Sequence, residues 1–214
     1  REAVATLKVI RGDLASFETD WRFSFRDRVE PVYREFVSLL LQKAQLHQST
    51  APEQFNGLLA EARQTIESLQ LAELDNFFRE ACLDVQPMSI DAIDPHAAVV
   101  YPIVLSDRLF VIVSVAGQPL QLYSTAVSQV QVEEQVALLL ESLHLAYSDV
   151  DRLEISRRLY DWLLKPAEGL LEREGVETLV FVLDGVLQKV PMAALYDGRA
   201  YLIERYAVAL SPSL

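Results

Sequence analysis

The sequence predicts an α/β protein (α+β overall) in which an antiparallel helical region precedes an α/β core that is incomplete at its C-terminal end. Apolar residues recur at helical spacing through the first 82 positions. After a polar loop, short apolar runs replace that spacing, and Thr178–Leu183 forms a non-alternating run that is typical of a strand covered on both faces. We therefore expect a helical domain over residues 1–86 and an α/β domain over residues 87–214.

The helical domain contains one especially clear predicted helix, whose apolar residues recur at i, i+3 and i+4 without interruption. Pro31 lies in its first turn, where a missing N–H is tolerated. A polar turn at Gln48–Pro52 follows, and such short connections make neighbouring helices antiparallel. The predicted helices cover residues 2–18, 29–44, 55–69 and 71–81.

The α/β domain begins with three predicted strands that short turns join into a meander. Pro102 would place the first of them at a sheet edge or at its flank, since proline cannot donate to a central ladder. Two helices are then predicted, the second capped by Ser148 or Asp149. The strands cover residues 98–104, 108–115 and 120–124, and the helices cover residues 132–143 and 151–164.

The last part of the chain returns to strand patterns. The buried strand ends at Asp184-Gly185, and Asp197-Gly198 predicts a two-residue hairpin turn because both residues tolerate positive φ. Residues 200–205 and 206–210 are predicted strands. A sheet that ended there would leave an open apolar edge, which predicts self-association or a retained partner piece.

The same stretch resembles a known family. The residues LVFVLDGVLQKVPMAALYDGRAYLIERYAVALSPSL closely resemble the start of the core of CHAT-domain proteins, which are caspase- and separase-like and are often found behind tetratricopeptide repeats. Three upstream segments are similar to the sequence that precedes that core, namely Phe25–Leu41, Ser68–Asp84 and Gly117–Gln129.

The resemblance implies a clan CD cysteine protease fold with a His–Cys dyad. We expect that dyad beyond Leu214, so this chain would be the non-catalytic N-terminal portion of a peptidase that acts on a protein or peptide. Its first residue, Arg1, and its final strand predict a piece of a longer protein, whose remaining half would be a partner. The alternative is an interaction or scaffold module with a pseudo-protease core.

Composition excludes several other classes. A net charge of −12 and a pI near 4.7 argue against nucleic-acid binding. No apolar run approaches the roughly 20 residues that a membrane helix needs. A single Cys rules out an internal disulfide and predicts a cytoplasmic location. We expect no cofactor, because neither a G-x-G-x-x-G nor a phosphate-binding loop follows a strand.

Four residues could in principle supply nucleophilic or metal chemistry. Cys82 lies beside the apolar stripe of a predicted helix, whereas a catalytic cysteine needs an exposed, electropositive setting. We therefore interpret it as a structural thiol. His47, His96 and His144 have no partner at metal-ligand spacing, and we predict structural or solvated roles for each.

The acidic residues, and the basic residues near them, are also interpreted as structural or solvated. Asp184-Gly185 is interpreted as a structural turn, with a place in the lining of a peptidase cleft as the alternative. Asp84, Asp91 and Asp94 lack the spacing of a calcium loop, so we predict that they are solvated or cap helices. The charged cluster near the start of the clearest helix suits i,i+4 pairing on a solvated face. It consists of Arg26, Asp27, Arg28, Glu30 and Arg34.

Overall fold

The computed structural model describes residues 30–78, 94–144 and 148–211. These residues fall into two compact units, which we call the helical unit (residues 30–78) and the sheet unit (residues 94–211). The domain boundary predicted near residue 86 and the helix predicted over residues 2–18 lie outside the described residues, so both stay predictions.

The helical unit is a hairpin of two helices, α1 (Glu30–His47) and α2 (Pro52–Phe78), packed against each other. The turn between them lies where the sequence predicts it, and Phe55 donates its N–H to the carbonyl of Ala51 to start the second helix. The apolar stripe predicted for α1 is its buried face. Its buried residues are Tyr33, Val37, Leu40, Leu41 and Ala44.

The second helix is longer than the sequence analysis predicted. Residues 55–69 and 71–81 were predicted to be separate helices, but α2 runs without a break to Phe78. No Gly or Pro occurs between Ile66 and Phe78, so no residue interrupts the helical hydrogen bonds.

The sheet unit contains five strands in the order β3-β2-β1-β4-β5. The first three form the predicted antiparallel meander, and the last two run parallel to β1. The strands are β1 (Ala97–Val104), β2 (Leu109–Val115), β3 (Gln121–Thr125), β4 (Thr178–Phe181) and β5 (Ala207–Leu210).

The edge position predicted for β1 from Pro102 is wrong, because β1 is the central strand. The Val100 carbonyl accepts from the Val182 N–H and so faces β4. Strand geometry repeats every two residues, so the nitrogen of Pro102 faces the same side. The pairing of β1 with β4 covers only Ala97–Val100. The proline therefore removes no hydrogen bond from that ladder.

Helices cover one face of this sheet. Side chains from β1, β2 and β4 form a single core with those of α3 and α4, including Val100, Val111 and Phe181. Ser128 caps α3 through a capping box with Gln131, and Ser148 caps α4, as one of the two predicted alternatives. The helices are α3 (Gln129–Ser142), α4 (Asp149–Leu163) and α5 (Glu168–Arg173).

Side chains on the other face of the sheet are buried as well. Val99, Ile103 and Ile112 are at most 2% exposed. Strands buried on both faces read as continuous apolar runs rather than alternating ones. The non-alternating pattern of Thr178–Leu183 was interpreted in this way, and in β4 Leu179, Val180 and Phe181 are all buried.

Residues 200–205 do not form the predicted strand. Leu202–Arg205 is a short helix, α6, and only the isolated bridge between Tyr196 and Tyr201 remains of a hairpin. The Tyr201 N–H donates to Glu204 Oε2 at 2.6 Å, which caps the helical turn. The turn is centred on residues 198 and 199, one position later than predicted, because Asp197 pairs with Ala200.

Candidate functional site

The carboxyl ends of the parallel strands define the first candidate site. Strands β1, β4 and β5 run in the same direction, so their ends meet at one edge of the sheet. In α/β folds, ligands and catalytic groups collect at such edges. Beyond β4 the chain continues along this edge, where the Val182 N–H donates to the Val100 carbonyl at 3.0 Å. Asp184 and Gly185 follow directly.

The loop after β4 is packed into the protein. Asp184 is 1% exposed, and its carbonyl accepts from the Leu187 N–H at 3.2 Å. Gln188 donates its side-chain amide to the Leu183 carbonyl at 3.3 Å. The apolar side chains that follow are also buried, which favours the structural interpretation of this turn. They are Leu187, Val190, Met192 and Leu195.

A substitution at Gly185 tests the interpretation of the Asp184-Gly185 turn as structural. Its φ of 55° lies in the left-handed region, which costs an L-residue about 1–2 kcal/mol. We expect Gly185→Ala to lower the free energy of unfolding by that amount in a urea titration. Gly169 in α5 is the matched control, because an added Cβ meets no atom within 4 Å there. Gly169→Ala is expected to be neutral or stabilising by up to ~1 kcal/mol. Equal losses in the two variants would contradict this explanation.

A second candidate lies around Arg205, at the end of α6. Its guanidinium bonds three carboxylates from other segments: Asp197 at 2.7 Å, Glu172 at 2.9 Å and Glu168 at 3.1 Å. The Tyr160 hydroxyl donates to the same Glu168 oxygen at 3.2 Å. We call these five residues the Arg205 cluster. It ties α4, α5 and the turn after Tyr196 to the short helix that precedes β5.

The electrostatics of the Arg205 cluster keep Asp197 and Arg205 charged and Tyr160 neutral. Burial alone would raise the pKa of Asp197, but the N–H groups of Ala200 and Arg199 and the Arg205 guanidinium outweigh it and lower that pKa. The hydrogen bond to Asp197 raises the pKa of Arg205. Burial, followed by the negative charge of Glu168, raises the pKa of Tyr160. Asp197, Arg205 and Tyr160 are therefore not poised to exchange a proton near neutral pH, which favours a role of the cluster in stabilising the fold over a role in acid–base chemistry.

A groove of about 300 Å³ lies between α3, α4, α6 and the turn at Met192–Ala194. Leu143 and Ile203 are 45% and 63% exposed at its walls. Its polar groups are already satisfied, since Ser156 donates to the Ala194 carbonyl at 2.6 Å and Arg152 to the Ser142 carbonyl at 3.0 Å. The groove offers contact surface, and its lining holds no nucleophile with a base. It is lined by Leu139, Leu143, Arg152, Ser156, Ala193, Ala194, Tyr201 and Ile203.

The histidines singled out in the sequence are far from one another along the described chain. His47 ends α1, and its carbonyl accepts from the N–H groups that begin the next turn. His96 and His144 are exposed. The His96 N–H donates to Asp94 Oδ1 at 2.9 Å, and its carbonyl accepts from Thr178. Cys82 lies outside the described residues, so its predicted role as a structural thiol stays a prediction.

The acidic residues of the sequence analysis are partly described. Asp94 holds the turn before β1 through its bond with His96. Asp84, Asp91 and the charged residues before Glu30 lie outside the described part of the chain. Glu30 pairs with Arg34 at 2.7 Å across one helical turn, which is the predicted i,i+4 arrangement. In residues 30–78, 94–144 and 148–211, no group of three or more His, Cys, Asp or Glu could hold a metal ion.

The sequence analysis missed the Arg205 cluster. Glu168 and Glu172 lie four residues apart and so share one helix face, which was a usable signal. Arg205, however, is 37 and 33 residues away from them along the chain. Only the return of the chain beside α5 brings the cation to these two carboxylates.

The fold and its packed strand-end loops define a mixed α+β domain built on a five-stranded sheet. Residues 153–214 match the family model of the CHAT domain, and this segment includes β4, the Arg205 cluster and β5. The resemblance to CHAT-domain proteins is thus confirmed over these residues. The match does not extend to the three upstream segments, where the resemblance stays a prediction. No match to the chain was found among curated proteins.

In the described residues, no helix combines the length and the apolar character that crossing a bilayer requires.

Proposed function

We propose that the sheet unit is a structural, non-catalytic part of a CHAT-type, caspase-like cysteine peptidase, and that the His–Cys dyad of that peptidase lies beyond Leu214. The observation that carries this proposal is the CHAT-domain match at residues 153–214, which spans β4 and β5. Together with β1 these strands are parallel, so their carboxyl ends offer one edge on which later segments can mount catalytic side chains.

The described residues support a structural rather than a catalytic role. Gln188 near the strand ends, and Ser156 and Arg152 in the groove, donate hydrogen bonds to main-chain carbonyls. The three carboxylates of the Arg205 cluster are ion-paired. No Cys occurs in the described ranges, and the three histidines each lie in a different segment. A cysteine peptidase needs a thiolate within hydrogen-bond reach of a histidine. The chain would therefore provide the strands and helices that support the catalytic Cys and His.

Strand β5 is the element that would receive the rest of the domain. It lies at the end of the described sheet, and Ala207, Ala209 and Leu210 are exposed, with Leu210 at 60%. Unpaired backbone groups on an edge strand recruit another strand. We propose that the remaining half of the parent protein pairs here, and that a second copy takes its place when that half is absent.

The wider setting follows from the same resemblance. We place the protein in the cytoplasm, where its single Cys would stay reduced. The helical unit would adjoin tetratricopeptide repeats, and the substrate would be a protein or peptide. An interaction module with a pseudo-protease core is the competing function.

Peptide hydrolysis by two proteins tests the proposal. The 214-residue chain is expected to be inactive on fluorogenic peptides and casein, and its Cys82→Ala variant should behave identically. The longer parent protein is expected to cleave, and to lose activity when a cysteine beyond Leu214 is replaced. Hydrolysis by the short chain that disappears in Cys82→Ala would overturn the non-catalytic assignment. A parent protein without cysteine-dependent cleavage would favour the competing function, an interaction module with a pseudo-protease core.

A further inference from the structure

The Asp197-Gly198 turn contains a pair of residues that is chemically labile in unfolded chains. In an Asp-Gly sequence the glycine nitrogen can attack the carboxyl carbon of the aspartate, because glycine has no Cβ to hinder the approach. A carbon–nitrogen bond forms, the nitrogen loses its proton, and one carboxyl oxygen leaves as water, which closes a succinimide ring. Water then opens the ring at either carbonyl and gives aspartate or isoaspartate. The chain has two such pairs, Asp184-Gly185 and Asp197-Gly198.

Both carboxyl oxygens of Asp197 are engaged in the folded protein. Oδ1 accepts from the main-chain N–H groups of Arg199 at 2.6 Å and of Ala200 at 2.8 Å. Oδ2 accepts from the Arg205 guanidinium at 2.7 Å, and the Asp197 side chain is only 6% exposed. Ring closure expels one of these two oxygens. The reaction must therefore break either the two main-chain hydrogen bonds or the ion pair.

The charge of the same carboxyl group also opposes the reaction. An ionised carboxylate is a poor electrophile, and its oxygen leaves readily only after protonation. Burial alone would raise the pKa of Asp197, but the N–H groups and the Arg205 guanidinium lower it. Glu168 and Glu172 share that guanidinium at 3.1 Å and 2.9 Å, yet the contact with Asp197 is the shortest of the three. Arg205 therefore helps to keep the carboxyl group in its unreactive form.

We propose that Asp197-Gly198 is a modification site that the Arg205 cluster keeps closed, and that isoaspartate forms there when the cluster opens. Isoaspartate lengthens the main chain by one carbon at residue 197, which is incompatible with the main-chain bond from the Asp197 N–H to the Ala200 carbonyl. Arg205 then loses its nearest carboxylate. Only Tyr206 separates Arg205 from β5, so the modification loosens the segment that leads into that strand.

The Asp184-Gly185 pair provides an internal reference for the site at Asp197. Asp184 is 1% exposed and lies just beyond β4, so it is reached when the sheet unit unfolds as a whole. Opening of the Arg205 cluster is a local event at Asp197. The ratio of the reaction rates at the two pairs therefore distinguishes local opening from global unfolding.

Peptide mapping of the 214-residue chain tests the proposal, with Arg205→Gln as the variant and Arg173→Gln as the matched control. The proteins are incubated folded and in concentrated urea and then digested. Liquid chromatography with mass spectrometry separates the aspartate and isoaspartate peptides of equal mass. Both pairs should isomerise in urea, and both should react far more slowly in the folded wild type and in Arg173→Gln. In folded Arg205→Gln, isoaspartate should form roughly tenfold faster or more at residue 197 alone.

The rates at the two pairs decide the outcome. Equal acceleration at residues 184 and 197 in Arg205→Gln would show that only global unfolding exposes Asp197, which overturns the proposal. Rapid isomerisation in the folded wild type, or no acceleration in Arg205→Gln, overturns it as well. Phe181→Ala keeps Arg205 but weakens the core, so it should accelerate both pairs together. Circular dichroism checks the fold of every variant. Arg205→Lys, with an intermediate rate at residue 197, takes the place of Arg205→Gln if that variant does not fold.

Discussion

Replacing Phe181 by alanine is expected to lower the free energy of unfolding of the sheet unit by about 3–5 kcal/mol. Phe181 is 0% exposed in β4, with Val100 of β1 on one side and Leu210 of β5 on the other. Truncating a fully buried ring loses its transfer free energy, and it leaves a cavity that the surrounding strands fill only in part. Few other single changes in this unit remove as much buried apolar surface.

Trp162 provides the measurement, because it packs against the same core. In a Trp21→Phe background it is the single tryptophan, and its fluorescence in a urea titration follows the sheet unit. Leu210→Ala is the control, since Leu210 lies opposite Phe181 but is 60% exposed, and we expect a loss below about 1 kcal/mol. Similar losses in the two variants would show that β4 is not the centre of the core.

Replacing Arg205 by glutamine is expected to destabilise the sheet unit by about 2–3 kcal/mol, because it leaves three carboxylates without their cation. Removing one partner of a fully buried ion pair costs roughly 3–5 kcal/mol. Here the effect is smaller because the Arg205 side chain is 28% exposed. The Asp197 side chain is only 6% exposed, and its pKa is lowered in the folded protein. The Asp197 carboxylate is therefore the one whose stabilisation decreases most when Arg205 is replaced.

Arg173→Gln is the matched control for Arg205. Arg173 pairs with its neighbour Glu174 at 3.0 Å, but its side chain is 67% exposed. Surface pairs of this kind contribute between 0 and about 1 kcal/mol. Arg205→Lys should recover only part of the loss, because one ammonium cannot reproduce the planar fork that reaches Asp197 and Glu172 together. Equal urea midpoints for the two glutamine variants would mean that the cluster is merely a surface feature.

The Arg205 cluster also bears on the proposed function. Arg205 is separated from β5 only by Tyr206, whose ring lies 5.5 Å from the guanidinium carbon. The Ala207 N–H donates to the Glu177 carbonyl at 2.9 Å, so the cluster and the sheet together fix where β5 begins. The strand proposed to receive the rest of the peptidase is thereby held in place before that part arrives.

Local patterns predicted much of this protein from its sequence. The apolar stripe of α1, the meander of β1 to β3 and the buried β4 each depend on residues close together in the chain, so period and turn residues suffice to predict them. A turn at Asp184-Gly185 was predicted from the same kind of signal, and its interpretation as structural depended on the CHAT-domain resemblance of the residues around it.

Tertiary structure decided the remainder. Pro102 lies in a central strand because the β4 pairing ends before it, which depends on a partner more than 70 residues away. Residues 202–205 turn into a helix because Glu204 caps Tyr201 and Leu202 is drawn into the core. The Arg205 cluster needs three segments to converge. The period of the apolar residues indicates which side of a helix or strand is buried. Which other segment packs against that side, or pairs with that strand, depends on contacts between residues far apart in the sequence.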